Sequence, residues 1–133
     1  EKNRADFVNG TRLVYEMDKN SMRFLNKLGN RFFQFFISKI IKEPLTDSLC
    51  GTKVFKKSYL NDLYLWQELL PTNDPFGDFD LIFSAAYSDQ KIVELPIIYK
   101  ERRYGVTQIS RFKDGYKLLI YLITSFLTFN SSR

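Results

Sequence analysis

Short strand-like segments alternate along this chain with longer segments that have the apolar periodicity of helices. The strand-like segments are residues 6–12, 52–57 and 91–100. The helical segments are residues 21–42, residues 58–70, a helix that Asp78 or Asp80 opens, and residues 110–129. This alternation is typical of an α/β layer, in which helices cover the face of a sheet. The sequence therefore predicts an α/β fold.

The helix predicted over residues 21–42 has two distinct stripes and ends before Pro44, because proline cannot continue a helix. Its apolar face at helical spacing comprises Leu25, Leu28, Phe32, Phe36 and Ile40. Its polar stripe comprises Arg23, Lys27, Asn30, Gln34 and Ser38. The pattern of the polar stripe is consistent with two interpretations, an ordinary solvated helix face and a shared binding face.

Composition narrows the class of protein. The chain has 133 residues, enough for one domain or part of one, and 44% hydrophobic and 17% aromatic residues argue against disorder. One cysteine and no histidine exclude a disulfide framework and zinc sites of the Cys/His kind. The formal charge of +5 favours an anionic partner. The first ten residues, EKNRADFVNG, include no initiator methionine and enter a strand almost at once, which suggests a piece of a longer protein.

The segment ELPIIYKERRYG, residues 94–105, joins an apolar strand to a basic, aromatic loop. Val93, Leu95, Ile97 and Ile98 have the pattern of a mostly buried strand. Three cations and a tyrosine then follow it, namely Lys100, Arg102, Arg103 and Tyr104. Such a loop is suited to hold an anion, although a solvated charged loop has the same pattern.

Four segments, in order, resemble the C-terminal half of an inverting family 2 glycosyltransferase of the dolichyl-phosphate mannosyltransferase, or polyprenyl-phosphate sugar transferase, type. They are NGTR (residues 9–12), RFLNKLGNRFF (23–33), TDSLCGTKVFKK (46–57) and FGDFDLIF…ELPIIYKERRYG (76–105). The resemblance implies the acceptor-side portion of a GT-A, Rossmann-like domain with a mixed sheet over residues 1–109. It also implies that the nucleotide-binding half, and the Asp-x-Asp motif for a divalent metal (Mg or Mn), lie upstream of this chain.

The same resemblance implies a reaction in which a polyprenyl phosphate attacks the anomeric carbon of a nucleotide sugar and a nucleoside diphosphate leaves. The acceptor is already anionic, so the protein mainly supplies fixed cations. Arg12 of NGTR and Arg102 of KERRYG match phosphate-contacting arginines of the family. Lys27 stands where the family has an arginine on the helix, with Arg23 and Asn30 on the same stripe. Without its upstream half, this chain alone is expected to be inactive.

Two aspartates are implied on the catalytic side. Asp78-Phe79-Asp80 is itself an Asp-x-Asp, but it follows Pro75 and Gly77 and opens a helix, so capping of that helix is the simpler interpretation and direct metal binding is disfavoured. The resemblance puts Asp80 at the acidic acceptor-side position. It puts Asp47 in a loop that borders the active site, where a turn-stabilising aspartate is the alternative.

The last segment, residues 110–133, is predicted to form an amphipathic helix whose apolar tail falls short of the about 20 residues that span a bilayer. A core helix, an interfacial helix and the start of a spanning segment are all open, and Arg111, Lys113 and Lys117 favour the interfacial one. The resemblance implies as partners a nucleotide sugar, a lipid-linked acceptor and the cytoplasmic membrane surface, to which the protein is expected to be peripheral or anchored. Nucleic acid is disfavoured, because most phenylalanines fall on apolar helix faces. The alternative function is a non-catalytic basic module that binds membrane or lipid phosphate.

Overall fold

A computed structural model describes residues 5–14, 24–98, 100 and 110–131, with Arg111 described by its backbone alone. Seven elements follow one another in these ranges, with a short 3-10 turn at Lys57–Tyr59 before the second helix. In chain order they are β1 (Phe7–Thr11), α1 (Phe24–Ile41), β2 (Lys53–Phe55), α2 (Leu60–Leu69), α3 (Asp78–Tyr87), β3 (Ile92–Pro96) and α4 (Arg111–Ser131). The predicted alternation of strands and helices is confirmed.

The three strands form one mixed sheet in the order β2-β1-β3. The central strand β1 runs antiparallel to β2, with Phe7 opposite Phe55, and parallel to β3, with Val8 opposite Val93. A parallel pair needs a long crossover connection, and here α1, β2, α2 and α3 all lie between the two strands. The α/β class and the mixed sheet are thus as predicted.

Helix α3 lies at the centre of the hydrophobic core. It is buried almost along its whole length, and the indole of Trp66 on α2 stacks on the ring of Phe83 with 5.8 Å between the ring centroids. Helices α1 and α4 pack against it with one face each. Their buried apolar residues are Phe33, Ile37, Ile41, Leu118, Tyr121, Leu122 and Phe129. A smaller cluster of Phe7, Tyr59 and Ala85 joins β1 to α3.

The apolar face predicted for α1 is wrong, because the structure leaves most of that face in solvent. Leu25, Leu28, Phe32 and Phe36 are between 41% and 55% exposed. The helix instead buries the opposite face, which carries Asn30, Phe33, Ile37 and Ile41. Both faces are apolar at helical spacing, so periodicity alone does not say which one the core selects.

The strand β3 is shorter and less buried than predicted. It ends at Pro96, and the side chains of Leu95 and Ile98 are 54% and 74% exposed. The reason is its position, since β3 lies at the edge of the sheet and pairs only with β1 among the described strands. An apolar run typical of a buried strand therefore ends in a surface segment, followed by the exposed Lys100.

The predicted capping of α3 by Asp78 or Asp80 is wrong. Neither Asp78 nor Asp80 caps the helix, and the carboxylate of Asp74 does so by accepting hydrogen bonds from the backbone N–H groups of Phe79 (2.6 Å) and Asp80 (3.1 Å). Gly77 at the N-cap has a φ of 78°, which favours glycine. Asp78 pairs instead with the buried ammonium group of Lys53 at 2.8 Å.

The helix α4 follows the predicted segment closely. At its start the backbone N–H of Ser110 donates to the carboxylate of Asp114 at 2.7 Å, and the Asp114 N–H makes an ordinary helical hydrogen bond to the Ser110 carbonyl. One face of α4 is in the core and the other is exposed, so it is partly a core helix. None of the helices in the described ranges has the length and apolar character needed to cross a membrane.

Candidate functional site

A cluster of polar side chains forms where β1 ends and meets the loop after α1. It contains residues from β1 and its continuation, from α1, from the loop and from β3. These residues are Asn9, Thr11, Arg12, Asn30, Thr46, Asp47, Ser48 and Glu94. We refer to this set as the Asp47 cluster. Such a concentration of polar groups, most of them buried, at the end of a strand is a candidate binding site.

The carboxylate of Asp47 is the centre of the cluster and is fully buried. The Arg12 guanidinium binds it bidentately, with Nε at 2.7 Å from Oδ2 and Nη2 at 2.8 Å from Oδ1. The backbone N–H of Arg12 also donates to Oδ2 at 3.1 Å, and the amide of Asn30 donates to Oδ1 at 2.7 Å. Two parallel bonds of this kind fix both the position and the plane of the guanidinium.

The electrostatics of Asp47 follow from these contacts. Burial by itself raises the pKa of the carboxyl, because it disfavours the charged form. The hydrogen bonds and positive charge of Arg12, together with the bond from Asn30, outweigh burial and leave the pKa of Asp47 below its ordinary value. Asp47 is therefore an anion whose charge is balanced within the protein by Arg12.

Asn30 connects α1 to the loop. Its Nδ2 donates to Asp47, and its Oδ1 accepts from the backbone N–H of Ser48 at 3.0 Å and from the Ser48 hydroxyl at 2.9 Å. The side chain is buried, so it faces the protein interior and not a solvated helix surface. The structure engages both ends of the amide inside the protein, and the phosphate contact that the resemblance implies for Asn30 stays a prediction.

Glu94 of β3 anchors the other side of the same loop. Its carboxylate accepts from the backbone N–H of Thr46 at 2.9 Å, from the Thr46 hydroxyl at 2.8 Å and from the Asn9 amide at 3.1 Å. The Asn9 amide also donates to the Asp47 carbonyl at 2.8 Å, while its own Oδ1 is buried and has no hydrogen-bond partner among the described residues. Asn9 and Glu94 are members of the site that the sequence motifs do not predict. Polar residues inside otherwise apolar strands are the signal that marks them.

Gly10 lets the loop approach β1 closely. A Cβ atom at this position would lie 2.9 Å from the carbonyl oxygen of Thr52 and 3.2 Å from the sulfur of Cys50. The backbone N–H of Gly10 donates to the same Thr52 carbonyl at 2.8 Å. The glycine of NGTR is therefore needed for close packing between the strand and the segment that leads into β2.

The remaining predicted cations lie partly outside the described residues. Lys27 is half-buried on α1, one turn before Asn30. Arg23 and Arg102 fall outside the described ranges, as do Arg103 and Tyr104. The phosphate-binding predictions for Arg23 and Arg102 therefore stay predictions. Of the predicted residues, the structure brings together Arg12, Asn30 and Asp47.

Asp80 belongs to a different network, between α2, α3 and α4. Its Oδ1 accepts from the hydroxyl of Tyr121, and its Oδ2 accepts from the amide of Gln67 at 2.7 Å. The Tyr121 hydroxyl in turn accepts from the indole N–H of Trp66 at 2.9 Å. Burial, followed by the nearby charge of Asp80, raises the pKa of Tyr121, so its hydroxyl stays protonated and donates. No hydrogen bond between described residues joins Asp80 to the Asp47 cluster.

A divalent metal needs several ligand side chains that lie close together. Within the ranges that the structure describes, no three aspartate, glutamate, cysteine or histidine side chains are grouped so that they could hold a metal ion. The resemblance expects the metal ligands upstream of this chain, so no step is assigned here to a metal. Cys50 is buried and unpaired by any disulfide, as a small core residue would be.

Comparisons with known proteins add no information on the candidate site. No family model, no curated protein and no solved structure matches this chain.

Proposed function

We propose that this chain is the acceptor-side portion of an inverting GT-A glycosyltransferase. The reaction moves a sugar from a nucleotide-sugar donor to a polyprenyl phosphate or a related lipid-linked acceptor. An α/β fold with a mixed sheet is compatible with that architecture. In this proposal the donor nucleotide and its divalent metal bind to residues outside this chain, at the cytoplasmic face of a membrane.

One observation carries the proposal, namely that all four segments of the resemblance contribute to one polar cluster. NGTR supplies Arg12, the helix supplies Asn30, TDSLCG supplies Asp47, and ELPIIY supplies Glu94. Asn9 and Glu94 are 85 residues apart in sequence, yet their side chains are hydrogen-bonded. Convergence of distant polar residues supports a site that is built for function, and it does not depend on the family pattern.

Arg12 has the properties of a pre-organised phosphate ligand. Its side chain is 13% exposed, and Asp47 holds its guanidinium at two points. A guanidinium fixed in this way loses little side-chain entropy on binding an anion. Asp47 acts in this proposal as a positioning residue for Arg12, and Lys27 and Arg102 supply further positive charge. The catalytic role of Asp80 is a proposal as well, and its bonds to Tyr121 and Gln67 hold its carboxylate in one orientation.

Sugar transfer by the intact enzyme that carries this chain tests the proposal. We expect Arg12→Ala to lower transfer to polyprenyl phosphate by about 10²-fold, as for the loss of a charge-stabilising donor. Arg12→Lys keeps a cation beside Asp47 but loses the planar fork, so an intermediate loss is expected. The exposed Lys57→Ala is the control and leaves transfer unchanged. Wild-type transfer by a folded Arg12→Ala enzyme, or no transfer from any nucleotide sugar by the wild type, contradicts the proposal.

The second candidate is a non-catalytic module that binds lipid phosphate. The exposed apolar faces of α1 and α4 favour it, because they suit a lipid surface without requiring any reaction. Lipid binding without transfer, by an enzyme preparation that includes the upstream residues, distinguishes this candidate from the glycosyltransferase.

A further inference from the structure

One polar residue from each strand lies at the same level of the sheet. Asn9 of β1 is opposite Lys53 of β2 in antiparallel register and opposite Glu94 of β3 in parallel register. Residues that are opposite each other on neighbouring strands point to the same face of the sheet. The three strands therefore carry a row of an ammonium group, an amide and a carboxylate, which we call the polar row.

The loop that carries Asp47 lies along the polar row and bonds to all three of its members. The Glu94 carboxylate accepts from the backbone N–H of Thr46, and the Asn9 amide donates to the carbonyl of Asp47. The ammonium group of the row, on β2, donates to the carbonyl of Cys50. The order of these loop residues follows the order of the strands from β3 through β1 to β2. Each strand thus holds one point of the loop.

The ammonium group of Lys53 is buried together with its partner carboxylate. The Lys53 side chain is 2% exposed and that of Asp78 is 15% exposed, and Nζ lies 2.8 Å from Oδ1. Taking two charges out of water costs free energy that their attraction repays only in part, so two apolar side chains of similar size often give equal or greater stability. Stability alone therefore does not account for a buried pair at this position.

Asp78 connects the polar row to the core. It is the first residue of α3, which is buried almost along its whole length. A carboxylate on a rigid helix restricts the rotamers of the lysine that it binds, so the bond from Lys53 to the Cys50 carbonyl keeps one direction. The other two members of the row hold the loop at residues 46 and 47, and Lys53 holds it at residue 50.

We propose that Lys53, fixed by Asp78, is a positioning residue of the candidate anion site. By holding the Cys50 end of the loop against the sheet, it sets the place of Asp47 and thereby the plane of the Arg12 guanidinium. The inference deepens the proposed function and rests on it for the effect on sugar transfer, whereas the effect on Arg12 itself requires no reaction. A pair that served stability alone would leave the guanidinium unchanged in any folded variant.

Hydrogen exchange at the Nε–H of Arg12, followed by NMR on the chain, reports on the guanidinium directly. In the wild type this nitrogen lies 2.7 Å from Oδ2 of the buried Asp47, so its hydrogen is expected to exchange slowly. We expect Lys53→Met/Asp78→Leu, which replaces the buried pair by apolar side chains, to speed this exchange at least about tenfold. Its midpoint of urea unfolding is expected to be no lower than that of the wild type. Lys53→Arg keeps the charge and the donors, so an intermediate exchange rate is expected.

A matched control is Lys56→Met, because Lys56 belongs to a second lysine–aspartate pair, with Asp6 at 3.6 Å, but is 75% exposed. This variant is expected to leave the exchange at Arg12 unchanged. If the double variant does not fold, Asp78→Asn takes its place. It keeps an oxygen acceptor for Lys53 but removes the charge, so a smaller increase in the exchange rate is expected. Unchanged exchange at Arg12 in the folded variant overturns the proposal.

Sugar transfer by the intact enzyme tests the consequence for the reaction. We expect Lys53→Met/Asp78→Leu to lower kcat/KM by about 10-fold to 10²-fold, mostly through kcat, because a displaced Arg12 stabilises developing charge less well. Wild-type kcat/KM in the folded double variant overturns the positioning role. A wild-type enzyme that transfers no sugar contradicts the proposed function instead, and the exchange at Arg12 then decides alone whether Lys53 positions the guanidinium.

Discussion

At the scale of single residues, the pair of Arg12 and Asp47 decides the character of the candidate site. A buried carboxylate is tolerated only when charge and hydrogen bonds compensate for its desolvation. Arg12, Asn30 and the backbone N–H of Leu49 supply that compensation here. The consequence is a rigid guanidinium at the end of β1 and a loop that cannot move independently of α1.

Replacing Asp47 by asparagine tests the pair through stability. We expect Asp47→Asn to lower the free energy of unfolding by about 3 kcal/mol, because it leaves the positive charge of Arg12 in a mostly buried place without its partner. Urea unfolding of the two proteins at neutral pH measures the difference. Glu68→Gln, at an exposed position on α2, is the control and changes stability by less than about 0.5 kcal/mol. Equal stability of Asp47→Asn and wild type would show that the pair makes no net contribution to the free energy of unfolding.

The lowered pKa of Asp47 also gives this stability a pH dependence. Below its ordinary value of 3.8, the unfolded chain binds the proton more readily than the folded one. The contribution of Asp47 is therefore fully present above pH 3.8 and is lost as the pH falls through the lower pKa of the folded state. The gap between wild type and Asp47→Asn should narrow below pH 3.8 in the same urea experiments. A gap that stays constant down to full acid unfolding contradicts this assignment.

At the scale of elements, the space around each glycine differs between β1, which packs against the loop after α1, and α1 itself. Gly10 on β1 meets Thr52 and Cys50, whereas Gly29 on α1 has nothing within 4 Å of an added Cβ. The same substitution at the two positions therefore has opposite expected effects.

We expect Gly10→Ala to lower the free energy of unfolding by about 1–3 kcal/mol, because an added methyl group must displace the loop. Gly29→Ala is expected to raise it by about 0.5–1 kcal/mol, since alanine restricts the unfolded chain and favours helix. Thermal unfolding of the two variants beside the wild type measures both. A Gly10→Ala protein as stable as the wild type would mean that the approach of the loop to β1 is looser than the structure has it.

At the scale of the whole molecule, the helices differ in how much of each the core covers. Helix α3 is buried along most of its ten residues, while α2, of equal length, buries only Trp66. Helices α1 and α4 each divide their surface between the core and an exposed apolar row. The fold is thus built around α3, with two amphipathic helices whose outer faces are available for contact.

This arrangement predicts an order of local stability. We expect the backbone amides of α3 to exchange hydrogen slowest, and those of α2 to exchange at least tenfold faster, because few buried contacts oppose local opening of α2. Hydrogen exchange followed by mass spectrometry under native conditions measures both helices in one experiment. Equal protection of the two helices would contradict a core centred on α3.

What the sequence alone determined about this protein is local. Apolar periodicity and Pro44 set the kind of each element and most of the element bounds, because these signals act within a few residues. The prediction of Arg12 and Asp47 as site residues came from motif resemblance, and their direct pairing was not visible in the pattern. Polar residues inside strands, such as Asn9 and Glu94, are a further sequence signal of the site.

Only the tertiary structure decided which faces meet. Helix α1 has two apolar faces, and the core selected the one with Phe33 and Ile37 because the neighbouring Asn30 then reaches Asp47 and Ser48. The edge position of β3 likewise depends on its pairing with β1, more than 80 residues earlier in the chain. Both features depend on contacts between segments that are far apart in sequence, and a short stretch of sequence does not contain those contacts.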